Sequence, residues 1–305
     1  MGAPLLAILP VVALIGIGYG LRRGGFPGDA FWRPAARLVY FAFLPALLAR
    51  VIAAARLDPA LWRAQAAAAL AVATVTALLL VLRKRITPDG PAFTSVLQGS
   101  TRHNTYIGLA IASAAFTPHQ TAALVLIVAA IVPLVNVIAV VALGRYGRGR
   151  ARVSWPTTLR SIALNPLILG CLAGALLNVS GLGLPPLLDA PLRLLAQPAL
   201  PLGLLVVGAG LRLDALAKVG RGVLIPAVAK LCGYPAFALA FAAALAVAPE
   251  HQAPLLLFAC LPTAASAYVL ALELGGDEGL MAQVITAETL LATVTIPAAL
   301  ALLGG

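Results

Sequence analysis

The sequence predicts an all-α polytopic membrane protein, with ten transmembrane helices forming two inverted five-helix repeats in which helices 4 and 9 are broken and cross. Three observations predict it. The 305 residues are 62% hydrophobic and only 10% charged, where a soluble domain carries about 25% charged residues. Mean hydropathy is +1.01. A water-soluble chain of this length could not hide so much apolar surface, because much of any fold's surface faces water. This argues against a soluble enzyme, a disordered chain and a fibre. Second, apolar runs of spanning length recur along the whole chain, each near or above the ~20 residues that cross a bilayer. Third, Lys and Arg collect in short clusters between those runs, in the manner of topology-setting charge rather than a nucleic-acid-binding face.

The expected spans are 4–21, 35–55, 60–82, 91–116, 121–143, 158–179, 187–211, 221–247, 253–273 and 278–302. Helix 1 has no basic residue before it and Arg22 and Arg23 after it. That is the reverse of a secretory signal, so it is expected to be retained. Its Gly-rich stretch at 16–20 fits close helix packing, since no strand precedes it. Asp58-Pro59 reads as N-cap and first residue of helix 3, Thr117-Pro118-His119-Gln120 as a capping box for helix 5, and Asp277 as the cap of helix 10. Cys171, Cys232 and Cys260 lie in apolar stretches without metal or redox spacing and are expected to be buried.

The basic residues set orientation. Arg22, Arg23, Arg33, Arg37, Arg83, Lys84, Arg85, Arg145, Arg148, Arg150, Arg152, Arg160, Arg212, Lys218 and Arg221 fall on one side, fifteen in all. Arg50, Arg56, Arg63 and Arg193 fall on the other. The richer side is expected to be cytoplasmic, with both termini outside. Arg102 and Lys230, the two left over, lie well inside helices.

An internal repeat is visible as an ordered series of matches. Pro10 corresponds to Pro166, and Leu44-Pro45 to Leu200-Pro201, both at an offset of 156. His103-Asn104 falls near Leu261-Pro262 at 158, and Pro133 near Pro297 at 164. Helix 1 and helix 6 also end in similar Gly-rich turns. A five-span unit inserts its second copy upside down, the inverted-repeat signature of secondary transporters. The expected organisation is a first repeat over 1–143, a cytoplasmic connector over 144–157 and a second repeat over 158–305.

The chemistry concentrates in two stretches. From Gln98 to Tyr106, helix 4 carries eight hydrogen-bonding side chains, Arg102, His103, Asn104 and Thr105 among them. A charge at mid-bilayer costs about 2.5–3.5 kcal/mol on insertion scales. An unwound segment lining a cavity fits better than a lipid-facing helix; the alternative is that 91–104 is a loop and the helix starts near 105. Helix 9 carries Pro262, Thr263 and Ser266 among small residues. Pro262 has no N–H to donate, and the small side chains allow close backbone approach. Two half-helices meeting at mid-membrane would offer N-termini to an anion and carbonyl ends to a cation.

Four stretches resemble the auxin efflux carrier family, which includes plant auxin exporters and bacterial carboxylate carriers. Residues 98–111, QGSTRHNTYIGLAI, resemble its helix 4 signature. Residues 259–277, ACLPTAASAYVLALELGGD, resemble its helix 9 and following turn. Residues 8–25 with 38–48, and KLCGYP at 230–235, resemble its first two helices and its helix 8. The resemblance covers nearly the whole chain and identifies it as a bacterial member of that family. It implies the inverted-repeat fold of bile-acid symporters and sodium/proton antiporters. Helices 1, 2, 6 and 7 would form a scaffold, helices 3–5 and 8–10 a transport domain. The family's crossover Asn falls on Asn104 and its helix 9 Pro on Pro262. Plant members have Pro where this chain has His103, and a polar residue after the helix 9 Pro where Thr263 and Ala264 stand here, so substrate contacts are expected to differ. The resemblance also implies a homodimer through the scaffold.

The expected activity is secondary active transport of a small organic anion, a carboxylate of auxin-like kind, in a bacterial inner membrane; a channel or uniporter of the same fold is the alternative. Substrate contacts are expected from Arg102, His103, Asn104, Thr105, Pro262, Thr263 and Ser266. Arg102 either pairs with a substrate carboxylate or turns to the membrane edge. His103 either exchanges protons or packs as a neutral ring. Coupling to H+ or Na+ is expected to involve Glu288, Ser100, Lys230 and Asn136. Glu288 is the only acid well inside a span; it either carries a proton or partners Lys230. No cofactor, resident metal or nucleic-acid partner is expected. The chain has no HExxH or GxSxG motif and its three His are scattered, which argues against an enzyme.

Overall fold

Within a bilayer every backbone N–H and C=O must find a protein partner, and a helix supplies these within one segment. The structure is a computed structural model describing residues 2–55, 58–148, 156, 159–160, 163–181 and 184–301. It is helical wherever it is regular, with no strand among the described residues. Six helical runs are long and apolar enough to cross a membrane: Asp29–Ala53, Pro59–Ile86, Pro118–Tyr146, Leu187–Ala209, Arg221–Ala244 and Glu278–Ala301. The chain is thus an all-helical, multi-pass membrane protein. Arg56, Arg150, Arg152 and most of the connector 144–157 lie outside the described residues.

The first repeat-length stretch begins with α1 (Gly2–Arg23) and α2 (Asp29–Leu38). A π-helical turn (Val39–Phe43) then leads into α3 (Leu44–Ala53). After a 3-10 turn at Pro59–Leu61 come α4 (Trp62–Ile86), α5 (Gly90–Thr101), α6 (Thr105–Ala115) and α7 (Pro118–Tyr146). The second stretch has α8 (Pro166–Val179), α9 (Pro186–Ala196) and α10 (Ala199–Ala209). It continues with α11 (Arg221–Val228), a second π turn (Ala229–Gly233) and α12 (Tyr234–Ala244). It closes with α13 (Pro249–Cys260), α14 (Ser266–Leu274) and α15 (Glu278–Ala301).

Proline explains both π turns. Pro45 and Pro235 each sit at the second residue after one. A proline ring clashes with the carbonyl four residues back, and one extra residue in the turn relieves the clash. The backbone closes around it: the N–H of Leu44 bonds the carbonyl of Val39, and that of Tyr234 the carbonyl of Ala229. Pro166 differs from Pro10. Pro10 lies inside α1, whereas Pro166 opens α8 behind Asn165, whose side chain accepts the N–H groups of Leu167 and Ile168 at 2.9 and 3.4 Å.

The chain divides into two compact units. The first holds residues 1–59, 106–129 and 159–210. Within it α1 packs on α10, and α3 on α8. Lipid removes the hydrophobic drive between helices, so close packing must hold them. Gly18 sits against the Leu205 backbone, and Gly174 against the Ala49 backbone, so closely that a Cβ at either glycine would collide. The contacts correspond: Gly18 and Gly174 are 156 residues apart, and so are Ala49 and Leu205. Asn178 closes the end of α3, donating from Nδ2 to the carbonyls of Ile52, Ala53 and Ala55 at 3.0, 3.2 and 2.6 Å. The Ile52 carbonyl also accepts the Ala55 N–H at 3.1 Å, while those of Ala53 and Ala55 lie where intrahelical donors run out.

The second unit holds residues 60–105, 130–158 and 211–305. Here α4 packs on α12, and α5 on α11 and α15. Gly99 allows the last of these: a Cβ there would lie 2.6 Å from Val284 Cγ1 and 3.0 Å from Pro226 Cβ. Of the three cysteines, Cys171 and Cys260 are buried as expected, but Cys232 is exposed. It lies in the π turn, where the extra residue rotates the helix faces.

Candidate functional site

The polar stretch of the expected fourth span is neither one helix nor a loop. Residues 90–101 are helical, 102–104 are extended or irregular, and α6 starts at Thr105. Arg102 leaves the helix at φ −82°, ψ 153°, although its N–H still bonds the Gln98 carbonyl at 2.9 Å. The corresponding stretch of the expected ninth span breaks over 261–265. Leu261 turns extended, at φ −63°, ψ 137°, because it precedes Pro262 and the proline ring disfavours helical geometry before it.

The two breaks meet within the second unit. The Asn104 N–H donates to the Pro262 carbonyl at 2.8 Å. The Thr263 hydroxyl donates to the Gly99 carbonyl. Backbone groups released by each broken helix are therefore satisfied by the other. The Thr263 N–H is taken by Glu288 Oε2 of α15 at 2.9 Å. Arg102 spreads its guanidinium between Asn136 of α7 and Ser266 of α14, with Nη1 to Asn136 Oδ1 at 2.9 Å and Nη2 to Ser266 Oγ at 3.0 Å. Both of these acceptors are neutral, and Arg102 is 8% exposed at the break, beside the exposed Ser266.

Seven of the sequence-selected residues are thus joined by hydrogen bonds: Arg102, Asn104, Asn136, Pro262, Thr263, Ser266 and Glu288. These bonds form three separate sets, and the other selected residues join none of them. The Ser100 hydroxyl donates to the Val96 carbonyl of its own helix at 2.9 Å. Thr105 opens α6 and is partly buried. His103 packs as a ring, stacked on Phe258 with centroids 4.1 Å apart and edge-on to Tyr234 at 4.9 Å. Lys230 is fully buried in the second π turn, its Nζ 4.6 Å from the centre of the Tyr234 ring.

Lys230 and Glu288 do not form a contact ion pair. No N···O distance within 4.0 Å joins them, and the ion pairs among the described residues are elsewhere. Glu288 Oε1, Lys230 Nζ and both polar atoms of Gln98 are buried without a hydrogen bond among the described residues. Such groups are costly unless water, an ion or a substrate meets them. Gln98 and Thr289 belong to this buried polar set and were not among the selected residues. The signal for Gln98 was its place in the polar run of α5; Thr289 had none beyond its neighbour Glu288. Tyr234 and Phe258, which clasp His103, are aromatic residues in apolar helices and look like ordinary core.

Comparison with known proteins then adds one finding. Residues 149–300 match the family model described as membrane transport protein, just under half of the chain. That is a family of transporters rather than enzymes, and the match indicates membrane transport. No curated protein matches the chain.

Proposed function

We propose that the chain is a secondary active transporter of a small organic anion, working by alternating access, with its site where the two broken helices meet. The observation that carries this is the hydrogen-bonded pair of breaks with a buried arginine at their junction. Broken helices at mid-membrane are the usual means of building a transporter site, because freed backbone groups can face a cavity only there. Arg102 offers a planar fork suited to a carboxylate, held open by two neutral oxygens that an anion can displace or join. The resemblance of residues 98–111 and 259–277 to auxin efflux carriers and the transporter-family match support the same reading. So do the corresponding contacts Gly18–Leu205 and Gly174–Ala49 at one offset of 156, which favour two inverted five-span repeats and ten spans in all. The unit holding the breaks is the moving part, and the protein works as a homodimer in a bacterial inner membrane.

For coupling we place the proton on Glu288. Its Oε2 is tied to the Thr263 N–H next to Pro262, and its buried Oε1 has no donor among the described residues. A proton arriving at that oxygen would be felt directly at the break. The test is exchange in proteoliposomes with radiolabelled carboxylates. Saturable uptake that internal substrate accelerates is expected; large currents without exchange would make the protein a channel or uniporter instead. Arg102→Gln should weaken anion uptake by about 10- to 100-fold, the scale of one hydrogen bond to a charged group.

A further inference from the structure

We propose that Arg83 and Arg145 form a binding site for the phosphate of an anionic glycerophospholipid at one membrane boundary of the second unit. Both residues lie in the last turn of a membrane-length helix, Arg83 in α4 beside Lys84 and Arg85, and Arg145 at the end of α7. A basic last turn by itself complements the helix dipole and the membrane surface. The arrangement here goes further. Both guanidinium groups are gathered on one ring: Arg83 Cζ lies 4.3 Å from the centre of Tyr146, and Arg145 Cζ 5.7 Å from it. Arg83 also lies 5.7 Å from the centre of Phe93, which meets Tyr146 edge-on at 5.5 Å. Two like charges share one aromatic platform at the depth where Tyr side chains sit between hydrocarbon and headgroups.

Among the described residues no acid of the surrounding turns lies within ion-pair distance of them. Gly90 and the Tyr146 backbone touch, which brings the start of α5 here. The Arg148 N–H donates to the Gly275 carbonyl at 2.7 Å, which brings the turn before α15. Three of the carboxylates on these turns hold partners of their own, and Glu273 at the end of α14 is exposed. Asp89 accepts the Ala92 N–H at 3.0 Å and Asp277 the Leu280 N–H at 2.9 Å, while Glu278 faces Arg148 at 3.9 Å. Arg83 and Arg145 join no ion pair among the described residues, and Arg83 Nε is buried without a hydrogen bond. A phosphodiester supplies what is missing: a negative charge with several acceptor oxygens, presented by a lipid whose tails lie along the apolar helices. Exposed Lys84 and Arg85 extend the same field.

The test measures lipid binding to the full-length protein in neutral detergent by native mass spectrometry and thermal shift. Phosphatidylglycerol should bind and raise the melting temperature; phosphatidylcholine and inorganic phosphate should not. Arg83→Gln with Arg145→Gln should weaken phosphatidylglycerol binding by about fivefold per arginine, the scale of one basic side chain at an anionic surface. Arg37→Gln, an exposed basic residue of the first unit, should leave binding unchanged. Wild-type affinity in the double variant, an equal loss in Arg37→Gln, or saturation by inorganic phosphate alone would each overturn the proposal. Should the double variant fail to fold, Arg83→Lys keeps the charge and removes the planar fork. A severalfold weakening is then expected, and undiminished affinity overturns the proposal.

Discussion

Asn104 has separable duties in its backbone and its side chain. The backbone N–H ties the two breaks through the Pro262 carbonyl, while the amide side chain belongs to the proposed substrate site. Asn104→Ala keeps the first and removes the second. It should abolish uptake while the melting temperature stays near wild type; uptake that survives would move the site elsewhere. Asn104→Pro removes the N–H and strands a buried carbonyl, and should cost about 1–3 kcal/mol in thermal or denaturant unfolding. Glu288 is tested by its proton. Glu288→Gln keeps an oxygen to accept the Thr263 N–H but cannot ionise, so initial uptake rates should lose their dependence on pH across the physiological range. A profile superimposable on wild type removes Glu288 from coupling. The residue scale is also where the sequence was most legible. A run of eight polar side chains inside an apolar span has few physical explanations, and Arg102 and Asn104 stood out for that reason. Gln98 was visible in the same run, but nothing local distinguishes an amide that faces a site from one that caps or packs.

At the scale of elements, glycine decides how closely helices approach. Gly174→Leu should separate α8 from α3 and destabilise the first unit by about 1–3 kcal/mol, the usual cost of overpacking. Gly18→Leu should do the same to α1 and α10 by the corresponding contact. A matched pair of losses in thermal unfolding is expected; a loss at one position alone would separate the two contacts. Such close approaches could not be read from sequence, because a membrane chain with 28 glycines does not say which of them touch. Helix starts with a conventional cap were legible: Thr117 and Gln120 exchange side-chain to N–H bonds at 3.1 and 3.3 Å, and Asp277 accepts the Leu280 N–H. Pro262 announces the second break by its chemistry, whereas Pro166 looked like an interior proline and proved to be a helix start, because Asn165 before it is a cap. The π turns left no distinct trace. Proline predicts a disturbance in a helix but not whether it kinks, ends or bulges.

For the whole molecule, the hydrophobic composition set the fold class, and six of the ten expected spans fall on helical runs long and apolar enough to cross a membrane. The division into units was harder to see. Residues 106–129 group with the first unit although they follow directly on the break at 102–104, and only long-range packing decides that. Ligand identity is a whole-molecule question too, because binding to the folded state stabilises it by mass action. A thermal-shift screen of carboxylates and indoles, each with and without sodium, should show stabilisation by at least one anion, equal in either salt. At about 100 times Kd a ligand contributes roughly 2.7 kcal/mol. A shift that requires sodium would replace the proton as the coupling ion.

The packing of α1 on α10 has a consequence for how the protein is made. The glycine at 18 meets its partner at 205, so α1 lacks this backbone contact until 187 further residues have been synthesised. At cellular elongation rates that is a wait of about ten to forty seconds. During this time α1 must be held by lipid or by the insertion machinery, its glycine face uncovered. Assembly of the first unit is therefore a late event in biogenesis, and truncations that end before Ala199 should leave α1 accessible to crosslinking at Ile15→Cys, a buried position of α1 where the change adds no bulk, with protection appearing only once α10 has emerged.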